Sequence, residues 1–220
     1  MRDRKKQEDY HRYVFRDGQL VGQFERMYRE SKVVPWKQDQ TVDAWWAEVA
    51  VRLIEIGAPY GRAIEVGCGL GYFTDKFSRL CQSVVGVDVS QSAIMKASAS
   101  FPSLEFSVFD VRKPARRLSG FDLVVVKDVF WYVFPQIDQV VNNLKGMTAP
   151  GGSLFIFQSF PNLDQSFVGK DILPNPQQLL RYFRDGFALQ QTCQCQEYFR
   201  AQDGPMFMAL LKKKGRRGTR

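Results

Sequence analysis

Ala63-Ile64-Glu65-Val66-Gly67-Cys68-Gly69-Leu70-Gly71-Tyr72-Phe73 is the stretch on which the fold turns. An apolar run carrying one acid leads into three alternating glycines, the pattern of a tight strand-to-helix turn. Glycine is needed there because a Cβ obstructs both left-handed backbone angles and the close approach of a ligand to the main chain. The spacing discriminates between ligands. A dinucleotide fingerprint, G-x-G-x-x-G, puts its third glycine at position 72, where this chain has Tyr72. The pattern here is G-x-G-x-G with Glu65 two residues upstream of Gly67, which suits a cationic ligand better than a pyrophosphate.

Downstream runs support a nucleoside-bearing ligand. Ser83-Val84-Val85-Gly86-Val87-Asp88 reads as a short buried strand ending in an acid, 21 residues after Gly67. An acid at that distance accepts both hydroxyls of a ribose in nucleotide-binding βαβ units. Leu104 to Val111 reads as a third strand, whose Asp110 is placed to accept an adenine amino hydrogen while a backbone amide meets a ring nitrogen. Phe121 to Val126 is a fourth apolar run, and Pro150-Gly151-Gly152 turns into a fifth, Ser153 to Phe157. Helices are predicted near 71–80, 90–100 and 136–147. Strand and helix in alternation imply an α/β, doubly wound sheet, with ligands beyond the carboxyl ends of the strands.

On these residues, positions 60 to 160 resemble a class I, Rossmann-like S-adenosylmethionine-dependent methyltransferase of the small-molecule type. The resemblance implies a seven-stranded, mostly parallel sheet in the order 3-2-1-4-5-7-6 with strand 7 antiparallel, the last two strands supplied by residues 185 to 213. It implies S-adenosyl-L-methionine as cofactor and S-adenosyl-L-homocysteine as product. By position, Glu65 would face the methionine ammonium, and Gly67, Gly69 and Gly71 would form the turn beneath methionine and ribose. Asp88 would hold the ribose diol, Asp110 and Val111 would read adenine, and Lys127 would touch the cofactor through its backbone. Against this stands the plainer alternative that the acids cap helices or solvate strand ends.

Composition agrees with one domain. A 220-residue chain can bury roughly 70% of its unfolded surface. Residues 1–57 are expected to form a helical lid region, 58–213 the cofactor-binding core and 214–220 a basic mobile tail. No apolar run approaches the roughly 20 residues that span a bilayer. Met1 to Asp9 lacks a following apolar stretch, so no secretory signal is read and a cytoplasmic location is expected. The four cysteines have neither zinc nor disulfide spacing. Net charge is +8, but Lys212, Lys213, Lys214, Arg216, Arg217 and Arg220 account for six of those charges. Such a run at a chain end is ordinarily a solvated segment, with non-specific attraction to phosphates as the alternative.

Two clusters bear on the acceptor. The first is N-terminal, where residues 3 to 33 mix charge and aromatics at helical spacing and Asp39 to Ile56 reads as a helix. In many small-molecule methyltransferases this segment lids both ligands, and Trp36 after Pro35 resembles their methionine-end contact. His11 is the only histidine, hence the only side chain whose ordinary pKa is near neutrality, and is a candidate base. Tyr10, Tyr13 and Tyr28 are candidates to line an acceptor pocket, with simple core packing as the alternative. The second cluster, Lys127-Asp128-Val129-Phe130-Trp131-Tyr132, follows the fourth strand. Asp128 is the second candidate base, placed to orient or deprotonate an amine or hydroxyl. The Asn/Asp-Pro-Pro-aromatic signature of nucleic-acid amino methylases is absent, and no Asp/His/Glu cluster suggests a metal. The resulting expectation is methyl transfer to an O or N atom of a small molecule, without metal, nucleic acid or membrane. Monomer and dimer both stay open. The competing classes are a nucleic-acid or protein methyltransferase gripping through the basic end, and a cofactor-binding protein without transferase activity.

Overall fold

A computed structural model describes residues 10–115, 117–161, 166–196 and 204–215. Its frame is a seven-stranded sheet formed by β3 (Tyr60–Val66), β4 (Cys81–Asp88), β5 (Glu105–Val108), β6 (Phe121–Lys127), β7 (Thr148–Ser159), β8 (Phe187–Cys195) and β9 (Met206–Lys213). The order across the sheet is β5-β4-β3-β6-β7-β9-β8, with β9 antiparallel to both neighbours. This is the 3-2-1-4-5-7-6 arrangement expected. A further two-stranded hairpin, β1 (Phe15–Arg16) with β2 (Gln19–Leu20), lies in the N-terminal region.

The central strands are apolar almost without interruption because both faces are covered. In β6, Leu123 and Val125 face α4 (Trp45–Glu55) and α5 (Tyr72–Ser78), clustering with Val51, Ile54 and Phe77. Val124 and Val126 point the other way, towards α7 (Ile137–Met147) and α8 (Pro176–Arg181), against Val140, Leu144 and Leu179. Successive side chains on a strand alternate sides, so a strand sandwiched between two helical layers has no polar face to show. Each fully buried side chain of this size is worth ~1.5–3 kcal/mol of transfer free energy. α6 (Gln91–Ser100) begins at Ser90, whose hydroxyl accepts from the Ala93 amide.

The N-terminal region departs from the two long helices expected. It folds as α1 (His11–Val14), the β1–β2 hairpin, α2 (Phe24–Glu30), a 3-10 turn over Pro35–Lys37, α3 (Gln38–Thr41) and then α4. Asp17 and Gly18 turn the hairpin with φ of 50° and 73°, and Trp36 and Lys37 are also left-handed, at 53° and 50°. Helical φ/ψ cannot continue through such residues. Elsewhere the predicted helices hold within one or two residues, while the third strand is shorter than expected and leaves Asp110 two positions beyond it. Cys81 opens β4. In the basic end, Lys213 is part of β9 and its ammonium donates to the Lys145 and Thr148 carbonyls at the end of α7. Arg216, Arg217 and Arg220 lie outside the described residues, as do Met1 to Asp9.

Candidate active site

The carboxyl ends of β3, β4 and β6 open into one cavity of about 380 Å³, within the range usual for ligand sites. Its rim begins at the glycine turn. Gly67, Gly69 and Gly71 have φ of 77°, 55° and 83°. A Cβ at Gly67 would stand 2.4 Å from Val129 Cγ2, and one at Gly69 within 2.7 Å of Gln38 and the Tyr28 hydroxyl. Side chains are excluded on both counts, strain and space.

Three acids face this cavity from adjacent segments. Glu65, in β3, is buried and accepts from the Thr74 hydroxyl. Burial pushes its carboxyl up to about 8, against the pull of that hydrogen bond and of the Lys127 ammonium. Asp88, ending β4, accepts the Gly69 amide at 3.0 Å on Oδ2 and the Ser90 amide at 2.9 Å on Oδ1. Burial raises it too, partly offset by those amides. Each oxygen keeps a lone pair for a further donor. Asp110 is gripped by Arg112, whose Nε and amide reach Oδ1 at 2.8 and 3.0 Å and whose other guanidinium nitrogen reaches Oδ2 at 2.9 Å. Burial alone would raise Asp110, but Arg112 holds it below the usual carboxylate range. One lone pair on Oδ2 is left for an amino hydrogen. Val111 lines the cavity beside it, its carbonyl fixed by Asn143 at 2.7 Å. The set of acceptors therefore fits an adenosyl ligand: two for a diol, one for an exocyclic amine, and a buried carboxyl by the glycine turn.

The N-terminal region roofs the cavity with Phe24, Tyr28, Trp36 and Gln38. Gln38 was not singled out from sequence, yet it staples roof to floor: Oε1 accepts the Leu70 amide at 2.9 Å and Nε2 donates to the Tyr28 hydroxyl at 3.0 Å. Trp36 packs among Tyr10, Tyr28 and Tyr132. Glu25 fastens α2 to the start of α6, taking the Ser90 hydroxyl at 2.8 Å, the Ser92 amide at 3.0 Å and the Ser92 hydroxyl at 2.6 Å. The Ser92 bonds dominate in drawing its carboxyl down to about 2.

Beyond the glycine turn the cavity becomes aromatic, with Trp46, Phe73, Trp131, Tyr132 and Phe157 in its wall. Lys127 and Asp128 are both there, their side chains 3.4 Å apart. Asp128 has φ 53°, and its Oδ1 accepts the Ser159 amide at 2.8 Å. A residue held in this sparsely populated region needs surroundings that over-determine it, and such residues gather at working sites.

Of the fourteen residues named from sequence, the cavity brings together Tyr28, Trp36, Glu65, Gly67, Asp88, Asp110, Val111, Lys127 and Asp128. Gly69 and Gly71 belong to the turn without lining it. His11, Tyr10 and Tyr13 are not on its wall. Tyr10 and Tyr13 are buried in the roof's own core, with His11 stacked on Tyr10 and the Tyr13 hydroxyl donating to Glu30 at 3.1 Å. An aromatic stripe at helical spacing has here become packing. Besides Gln38, sequence reading missed Trp46, Arg112 and Met206. Of these only Arg112 left a sign, as a fork-shaped cation two places after an acid.

Residues 64–154 match the family model described as a methyltransferase domain. Nodulation protein S of Rhizobium tropici is 31% identical over 126 residues, covering 54% of this chain and 52% of its own length. Ubiquinone biosynthesis O-methyltransferase of Albidiferax ferrireducens is 30% identical over 113 residues, covering 49% and 44%. Among solved structures, the N-methyltransferase NodS from Bradyrhizobium japonicum WM9 in complex with S-adenosyl-L-homocysteine superposes with a TM-score of 0.70 at 20% identity. That alignment covers 86% of this chain and 98% of the other. Residues 64–154 thus resemble a methyltransferase domain, and the fold around them is the one seen in NodS. The chain spans about half the length of these curated relatives.

Proposed function

We propose that this chain transfers the methyl group of S-adenosyl-L-methionine to an O or N atom of a small molecule. One observation carries the reading. Glu65, Asp88 and Asp110 open into a single cavity whose other half is walled by aromatic side chains and roofed by the N-terminal region. The cofactor, when bound, supplies a methyl group already activated on a sulfonium. What remains for the protein is to hold two molecules in line at near contact, which can account for most of the acceleration.

The assigned roles follow from position. Asp88 takes the diol and Asp110 the exocyclic amine, each pre-set by its own donors. Glu65 takes an ammonium, which would draw off the proton that burial now favours. Asp128, fixed by the Ser159 amide, orients the acceptor's N–H or O–H and removes its proton where one must leave. His11 lies off the wall, so Asp128 is the preferred base. A small acceptor is favoured because Trp36 and Gln38 cover the cavity from outside. The relatives' names divide between N- and O-methyl transfer, and both atoms stay within the proposal. Methyl-labelled donor offered with a panel of phenols, carboxylic acids and amines tests the reading. Label in any acceptor is expected, while adenosylhomocysteine binding without turnover across the panel would favour a non-catalytic cofactor binder.

A further inference from the structure

The backbone contact expected of Lys127 leaves its side chain unaccounted for. Its ammonium lies over three rings, 5.3 Å from the Trp46 centroid, 5.9 Å from Phe73 and 5.2 Å from Phe157. The side chain is 20% exposed and the residue lines the cavity. An ammonium has three N–H donors. Among the described residues, one oxygen comes within hydrogen-bond reach, Asp128 Oδ2 at 3.4 Å, which is long for a charge-assisted bond. Asp128 is not free to come closer, because its other oxygen holds the Ser159 amide. Glu65, the other nearby acid, is occupied by Thr74 and largely keeps its own proton near neutrality. Lys127 is therefore a poorly satisfied cation on an aromatic wall, with donors to spare inside a ligand cavity.

We infer that Lys127 anchors an oxyanion of the acceptor, making an aryl or other planar molecule that bears a carboxylate or phenolate the substrate class of this site. The ring of such a molecule lies along the Trp46–Phe157 wall while its oxygen satisfies the lysine. This rests on the methyltransferase reading for the word acceptor; the anion site itself does not. Lys127 ends β6, next to β7, on the far side of β3 from β4, which ends at Asp88, and from β5, which Asp110 follows. That places it away from the nucleoside. The one competing source of the same chemistry is the cofactor's own carboxylate.

Calorimetric titration of benzoate, benzamide and benzylammonium, into the chain saturated with adenosylhomocysteine and into the chain alone, separates these sources. Benzoate is expected to bind about tenfold or more tightly than benzamide, the ratio a single charge-assisted hydrogen bond supplies. Lys127→Met should erase that preference while leaving adenosylhomocysteine affinity within about threefold, and Lys127→Arg should restore it. Equal binding of benzoate and benzamide, preference for benzylammonium, or an unchanged benzoate preference in Lys127→Met overturns the inference. A loss of about tenfold or more in adenosylhomocysteine affinity in Lys127→Met also overturns it, since the lysine then belongs to the cofactor. Absence of adenosylhomocysteine heat in the parent chain defeats the methyltransferase reading instead, and the cofactor-free benzoate titrations still decide the role of Lys127.

Discussion

Replacing Asp88 with Asn separates the two tasks this carboxylate performs. In the folded chain its oxygens hold the Gly69 and Ser90 amides, and the same group is assigned to the ribose diol. Asn keeps one oxygen and puts an NH2 where the second stood, so one buried amide faces another donor. An unsatisfied buried donor costs ~1–3 kcal/mol, which for a domain of this size lowers Tm by roughly 2–4 °C per kcal/mol. The ligand loses more. Hydrogen bonds to a charged partner are worth ~1.5–3 kcal/mol each, so weakening two to the diol should cut affinity about a hundredfold or more. Isothermal titration with adenosylhomocysteine at a temperature well below the variant's Tm measures this cleanly. Affinity within about twofold of the parent would refute the assignment of Asp88 to the ribose.

Asp128→Asn is expected to lower methyl transfer by about a hundredfold or more while sparing adenosylhomocysteine affinity, and His11→Ala to leave both unchanged; a labelled-donor assay that found the reverse would move the base to the roof. Glu65 has a folded pKa of about 8, raised from 4.5. Between those values the folded chain therefore binds more protons than the unfolded one, and its contribution to stability falls as pH rises. Glu65→Gln should flatten that slope in thermal melts between pH 5 and 8, and adenosylhomocysteine binding at pH 7 should release protons to buffer in the parent but not in the variant. For Glu25 the sign is opposite: its folded pKa of about 2 means a stabilisation present above 4.5 and lost as pH falls towards 2. Glu25→Gln should speed amide hydrogen exchange in residues 24–41 at pH 7 without changing β3 and β6, and equal exchange would show that the roof is held by other contacts.

The sheet was readable because its signals are local and repeated. β3, β4 and β6 are apolar runs ending in glycine or acid, and each helix between them begins or ends at a recognisable break. The acids at strand ends could be assigned because the switch from strand to loop fixes where their side chains emerge. The course of the roof was not readable. Its course depends on Trp36 and Lys37 adopting left-handed angles, which neither residue type prefers and only surrounding contacts enforce. Gln38 looks like any polar helix residue until folding brings Leu70 and Tyr28 beside it, 32 and 10 positions away. The same distance problem hid Trp46 and Met206, which face the cavity from α4 and from the start of β9.

The position of β9 sets the order in which this molecule can be completed. The last strand among the described residues is inserted between β7 and β8, bonded along both of its edges. Until it arrives, β7 offers Leu154, Phe155, Ile156 and Phe157 along an open border, four residues that end up shielded from water. Synthesis from the N-terminus therefore leaves a long interval in which an apolar ladder invites pairing with another nascent copy. Charge helps close that interval: when β9 docks, Lys213 clamps the end of α7 and ties the final strand to the helical layer as well as to the sheet.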